Sequence, residues 1–111
     1  MVDDENLVLQ VLGHRLEHEG FTPTLIDDPT AALREIHAHP AKYRALVTDL
    51  NMPRMSGLEL ARWARAISPR LGIILHSSDT KRRSPHVDLV VPKLSGVSEL
   101  IDGLAVLLAR A

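Results

Sequence analysis

Short apolar runs of strand length alternate with segments of helical periodicity along this chain, and few folds accommodate that alternation. Residues 45–48 and 72–76 are mostly apolar without interruption, as expected of strands covered on both faces. Residues 89–91 form a third such run, and residues 21–26 a fourth that Pro23 confines to an edge. Between them lie the helices. Residues 6–19 place Leu7, Val8, Val11, Leu12 and Leu16 on one face, with Gly20 as the stop. Asp28 and Pro29 read as an N-cap and a first-turn proline, opening a helix through about Ala38. Residues 57–67 turn Leu58, Leu60, Ala61 and Ala64 inward, and residues 98–109 close the chain on Leu100, Ile101, Leu104, Leu107 and Leu108. This spacing predicts βα units around a parallel sheet with helices on both faces. Two places break the rhythm. Residues 78–88 are polar, interrupted by Pro85 and without a periodic apolar face, which predicts a loop with at most one helical turn. At the start, only Met1 and Val2 precede an acidic pair, too few residues for a full strand.

Composition removes several function classes. A chain of 111 residues suffices for one domain with its own core. The absence of cysteine excludes a disulfide scaffold and thiolate chemistry, and fits a reducing cytoplasm. The 13 Lys and Arg are mostly scattered within a net charge of −1, so no nucleic-acid partner is expected. One Trp, one Tyr and one Phe offer little for stacking on bases or sugars. The apolar runs are too short to span a bilayer, and Asp3, Asp4 and Glu5 stand where a basic signal-peptide region would lie. A cytoplasmic protein without a membrane segment is therefore expected.

The chemistry concentrates at strand ends. Residues 46–48 deliver Asp49 into a loop shaped by Pro53 and Gly57, and the carboxyl end of a strand is where ligands gather in open α/β sheets. Asp49 could instead cap the turn that follows it. Asp3 and Asp4 precede a helix, where negative charge complements the helix dipole. Three carboxylates converging on one sheet edge would repel one another without a cation, and Mg2+ suits carboxylates combined with water and phosphate oxygens. Ser77 and Lys93, each following a strand, would add a hydroxyl donor and a point charge for an anionic group. That set is what phosphoryl transfer to a carboxylate nucleophile requires.

These segments resemble the receiver domain of two-component response regulators. Asp49-Leu50-Asn51-Met52-Pro53, with Met55 and Gly57, is similar to the phosphoacceptor motif, and Val2-Asp3-Asp4-Glu5 to the metal-binding acidic pair. Residues 73–78 resemble the strand ending in the switch Ser or Thr, and residues 90–93 the strand ending in the phosphate-binding lysine. The resemblance covers nearly the whole chain. It implies a flavodoxin-like, doubly wound α/β fold with strand order 2-1-3-4-5. It also implies that Asp49 accepts phosphate from a histidine kinase or phosphotransfer protein. Asp4 would bind Mg2+ directly, Asp3 partly through water, and Asn51 through its backbone carbonyl. Ser77 and Lys93 would hold the phosphoryl oxygens, while Asn51 and Asp79 would tune hydrolysis of the acyl phosphate. Signalling would run through protein contacts, to a downstream protein or a second copy, rather than through catalytic turnover. A receiver-like interaction module that is never phosphorylated is the alternative. An aspartate phosphohydrolase is disfavoured, because its general acid would fall at Asn51, which cannot donate a proton in that way.

Three departures accompany the resemblance. The first strand is truncated, so residues upstream of Met1 or a partner segment are expected to fill the gap. Only 16 positions separate Ser77 from Lys93, which leaves the fourth helix reduced or absent. The last strand carries no aromatic residue to couple to Ser77, and Pro92 precedes Lys93 instead of following it, which predicts a shifted approach of that lysine. Elsewhere, His14 and His18 have a zinc-clamping spacing without a third ligand, and Lys81-Arg82-Arg83 reads as a solvated loop or a docking patch. His37 and His39 are expected to face solvent, and Trp63 to be a partly buried packing residue.

Overall fold

A computed structural model describes residues 1–109. Its elements run α1 (Asn6–His18), α2 (Pro29–Ala38), β1 (Ala45–Thr48), α3 (Gly57–Ile67), β2 (Gly72–Ser77), β3 (Leu89–Pro92) and α4 (Val97–Leu108), with a 3-10 turn at Lys93–Ser95. The sheet is parallel in the order β1-β2-β3, with Thr48 opposite Leu75 and Ser77 opposite Pro92. Val2 extends it by single parallel bridges to Thr48 on one side and Ile26 on the other. The line across the sheet is therefore residue 26, residue 2, β1, β2, β3. This is the expected 2-1-3-4-5 order with its first two strands reduced to one bridge each.

The sheet separates two apolar layers, and strand alternation decides which residue enters which. Leu46 and Ile73 pack with Ala32, Ile36, Leu60, Ala61 and Ala64 from α2 and α3. Val47, Ile74 and Val91 face the other way, onto Leu16 of α1 and Leu100, Leu104 and Leu107 of α4. Ile73 and Ile74 are both fully buried, each stabilising the fold by roughly 1.5–3 kcal/mol relative to exposure. Helices on both faces make this a doubly wound sheet.

Helix boundaries follow local chemistry. Asp28 accepts a hydrogen bond from Ala31 N at 3.0 Å, with Pro29 in the first turn. Ser56 caps α3 by accepting from Glu59 N at 3.2 Å. At the end of α1, Phe21 N donates to Leu16 O and Gly20 N to Glu17 O, a Schellman closure that needs the left-handed backbone of Gly20 (φ 94°).

Two expectations change. The expected strand over residues 21–26 forms only the bridge at Ile26, because the short Met1–Asp3 segment gives its earlier residues nothing to pair with. The last strand continues through Pro92, opposite Ser77 at the end of the neighbouring strand. Residues 78–88 contain no helix, only a turn at Pro85 and His86, so the expected loop stands where the family's fourth helix would lie. Among the described residues no helix is long and apolar enough to cross a membrane.

Candidate functional site

At the carboxyl end of the sheet, β1 passes directly into Asp49, which is 8% exposed. Its carboxylate is held by two donors, the Leu50 backbone N–H at 2.8 Å and Lys93 Nζ at 3.1 Å, both to Oδ1. Thr48, fully buried behind it, donates its hydroxyl to Asp49 O at 2.9 Å. The loop closes where Gly57 N donates to Leu50 O at 2.8 Å. This approach is so close that a Cβ on Gly57 would stand 2.0 Å from Asp49 O. Arg54 turns the loop in a left-handed conformation (φ 73°), with its guanidinium 3.3 Å from Asp28. The motif residues thus shape a loop that presents one carboxylate.

The acidic pair arrives from the other side. Backbone bonds Val2 N to Val47 O (2.7 Å), Asp49 N to Val2 O (2.9 Å) and Asp3 N to Ile26 O (3.2 Å) fix Val2 and Asp3 beside β1. Asp3 is 1% exposed and accepts Glu5 N at 2.9 Å and Lys93 Nζ at 3.2 Å. Asp4 is exposed and has no hydrogen-bond partner among the described residues. Carboxylate oxygens of Asp3, Asp4 and Asp49 all lie within 4.8 Å of one another. The helix-dipole reading of the pair loses ground, since α1 has no acidic residue in its first turn and no side-chain cap.

Electrostatics follow from burial and crowding. Burial raises Asp49 above the usual carboxylate range; the Lys93 hydrogen bond opposes the shift and the negative field of Asp3 adds to it. For Lys93 burial works against the charge, but the hydrogen bond to Asp49 and the fields of both aspartates outweigh it and hold the ammonium above its ordinary value. Pro92 does not carry Lys93 away from the site, whatever its position relative to the lysine. Three carboxylates against one ammonium leave a site of hard oxygen donors with surplus negative charge. That donor set fits Mg2+, with Asp3, Asp4 and Asp49 as the residues to hold it.

Ser77 ends β2, 2% exposed, and its Oγ accepts Asp79 N at 3.0 Å. Asn51 is exposed on the Asp49 loop. No hydrogen bond joins Ser77 or Asn51 to the carboxylates among the described residues. The i, i+4 pair His14 and His18 is exposed on α1, and the three aspartates are the metal-compatible cluster among the described residues. Trp63 is 51% exposed, with Arg62 stacked 5.5 Å from its ring.

A family model for the response regulator receiver domain matches residues 1–99. This chain belongs to that family. The receiver is 35% identical over 85 residues to the chemotaxis protein CheY of Pseudomonas aeruginosa, a match covering 74% of this chain and 67% of CheY. It is 35% identical over 74 residues to the receiver protein CpdR of Brucella abortus, covering 67% of this chain and 60% of CpdR. Other relatives are longer still: the match spans 13% of the putative plant regulator ARR21 of Arabidopsis thaliana. Among solved structures, the response regulator TrrA of Thermotoga maritima, in complex with Mg2+ and BeF, superposes with a TM-score of 0.86 at 28% identity, covering 96% of this chain and 94% of TrrA.

Sequence reasoning missed His76. It is 4% exposed, lies opposite Val91, and its buried Nδ1 has no hydrogen-bond partner among the described residues. Burial, then the charge of Lys93, lowers its pKa against the pull of Asp3 and Asp49, so it stays neutral more readily than a free histidine. The available signal was a polar residue closing the apolar run Ile73-Ile74-Leu75.

Proposed function

We propose that this receiver takes a phosphoryl group onto Asp49 in a Mg2+-dependent reaction, from a histidine kinase or a phosphotransfer protein, and signals through protein contacts. The observation that carries the reading is the meeting of Lys93, Asp3 and Asp49 at 3.1–3.2 Å, with Asp4 alongside. A carboxylate oxygen of Asp49 would form the new bond to phosphorus while the P–N bond of a phosphohistidine breaks, its electron pair leaving with the imidazole. The Lys93 ammonium is already beside that oxygen and would neutralise part of the incoming charge. Ser77 uses an oxygen lone pair to accept Asp79 N, which leaves its hydroxyl proton to donate to a phosphoryl oxygen. Mg2+ bound by Asp3, Asp4 and Asp49, with the Asn51 carbonyl, would supply the remaining charge neutralisation at the transferring group.

Turnover of phosphate esters is not part of this proposal, because Asn51 stands where a phosphohydrolase acid would be needed. Incubation with acetyl phosphate tests the reading. The expected result is a phosphorylated protein in Mg2+, little product in EDTA, and none from Asp49→Asn. Absence of product from the wild-type chain under every condition would favour the unphosphorylated interaction module.

A further inference from the structure

Helix α1 carries more apolar side chains than the core takes up. Leu9 and Leu16 are buried, at 2% and 3% exposure, whereas Leu7 and Val11 are 77% and 67% exposed. His14 and His18 are exposed as well. At about 100° per residue, residues 7, 11, 14 and 18 fall within about 60° of one another, on the side opposite Leu9 and Leu16. Their spacing of four, three and four residues is that of a coiled-coil seam.

The histidine pair can hold a metal ion but cannot complete its shell. Side chains at i and i+4 stand one above the other on a helix, so two imidazole nitrogens can reach one Zn2+. A closed zinc site has four ligands. Neither imidazole has a hydrogen-bond or ion-pair partner among the described residues. There the cluster of three metal-compatible side chains is Asp3, Asp4 and Asp49, which includes neither histidine. Two further nitrogens must come from another molecule. A second copy of the chain supplies them by symmetry, because a two-fold contact brings the same patch from both sides.

We propose that α1 binds Zn2+ between two copies of this chain, with His14 and His18 of each copy as the four ligands and Leu7 and Val11 as the apolar part of the contact. Parallel packing about a two-fold axis along the helices sets each residue against its own counterpart. The four imidazoles then converge at one end of the seam, and the Leu and Val pairs meet at the other. Antiparallel packing would set His14 against Val11 and His18 against Leu7, scattering the ligands. In the parallel register Gln10 flanks Arg15 of the second copy, so these flanking positions carry no like-charge pair.

The area of the contact explains why a metal is needed. The 13 residues of α1 make a helix about 20 Å long and about 10 Å wide. Two such helices bury on the order of 400–600 Å2 in total, below the roughly 1,200 Å2 of a stable interface. The apolar seam orients the two copies, and the ion holds them.

Sedimentation equilibrium of the tag-free chain, with Mg2+ present throughout, tests this. Zn2+ is expected to shift the mass from 12.3 kDa to twice that value, with one ion bound per two chains, and EDTA to reverse the shift. His14→Ala and His18→Ala should stay monomeric in Zn2+, with unchanged Tm in EDTA, while Leu7→Ser should weaken the zinc-bound dimer roughly tenfold. The chain has no cysteine, so Leu7→Cys reads the register: the zinc-bound dimer should form a disulfide between the two copies on mild oxidation. A chain that stays monomeric in Zn2+, or a dimer that survives either histidine substitution, would overturn the proposal. A zinc-bound dimer that does not cross-link through residue 7 would overturn the parallel arrangement. None of these readouts depends on phosphorylation of Asp49.

Discussion

Asp49 depends on two neighbours of very different kinds. Gly57 contributes only the absence of a side chain. Because a Cβ would meet Asp49 O at 2.0 Å, Gly57→Ala must displace the backbone carrying the carboxylate. The expected cost is roughly 1–3 kcal/mol in chemical denaturation, together with slower labelling by acetyl phosphate. Lys93 contributes charge. In Lys93→Met the nearly buried Asp3 and Asp49 face each other unpaired, and stability in EDTA should fall by about 1–3 kcal/mol, with Mg2+ restoring much of it. An unchanged denaturation midpoint in EDTA would show that the lysine is not what holds the two carboxylates together. Both roles were partly legible beforehand: the motif pointed to Asp49, Gly57 and Lys93, but only the fold shows how closely their atoms approach. His76 was illegible as a neighbour of the site, because strand periodicity assigns a residue to a face without naming what covers it.

Among the elements, the strongest periodic signals were the most readable. The expected bounds of α3 match the structure, since Ser56 caps it and four inward residues repeat at helical spacing. Residues 21–26 were misread because extended, β-prone sequence becomes a strand only when a partner strand reaches it, and Met1–Asp3 reaches only Ile26. The junction of α3, β2 and β3 was also invisible in sequence. There Asp88 accepts Arg65 Nη2 at 2.6 Å and Ile73 N at 2.7 Å, tying the entry to β3 onto its neighbours. Asp88→Ala would leave a strand N–H and a guanidinium short of an acceptor. The expected loss is about 1–3 kcal/mol, read by urea denaturation, with faster amide exchange at Ile73; an unaltered midpoint would count against this junction. The loop at residues 78–88 replaces a whole helix of the family, so any readout of phosphorylation must use a face built differently there.

At the scale of the molecule, the reduced first strand and the end that presents Asp49 belong to one sheet. Met1–Asp3 carries both a buried amino group and one of the carboxylates of the site, so stability at the amino terminus and order at the site are linked. The buried Met1 amino group, pushed down from 8.0 to about 6, gives this a pH signature. Below pH 6 the group is protonated in both folded and unfolded chains, and the full cost of burying charge remains. Between pH 6 and 8 the unfolded chain holds the proton and the folded chain does not, so stability rises with pH. The gain should be on the order of 2–3 kcal/mol, measured as a rising denaturation midpoint across that window and absent after N-acetylation. The central claim concerns the carboxyl end of the neighbouring strand β1, and the most direct measurement is the position of the covalent adduct. After treatment with acetyl phosphate and Mg2+, borohydride trapping and peptide mapping should find a single modified residue, Asp49, and none in EDTA. An adduct on any other residue, or an unmodified Asp49 despite bound Mg2+, would contradict the account.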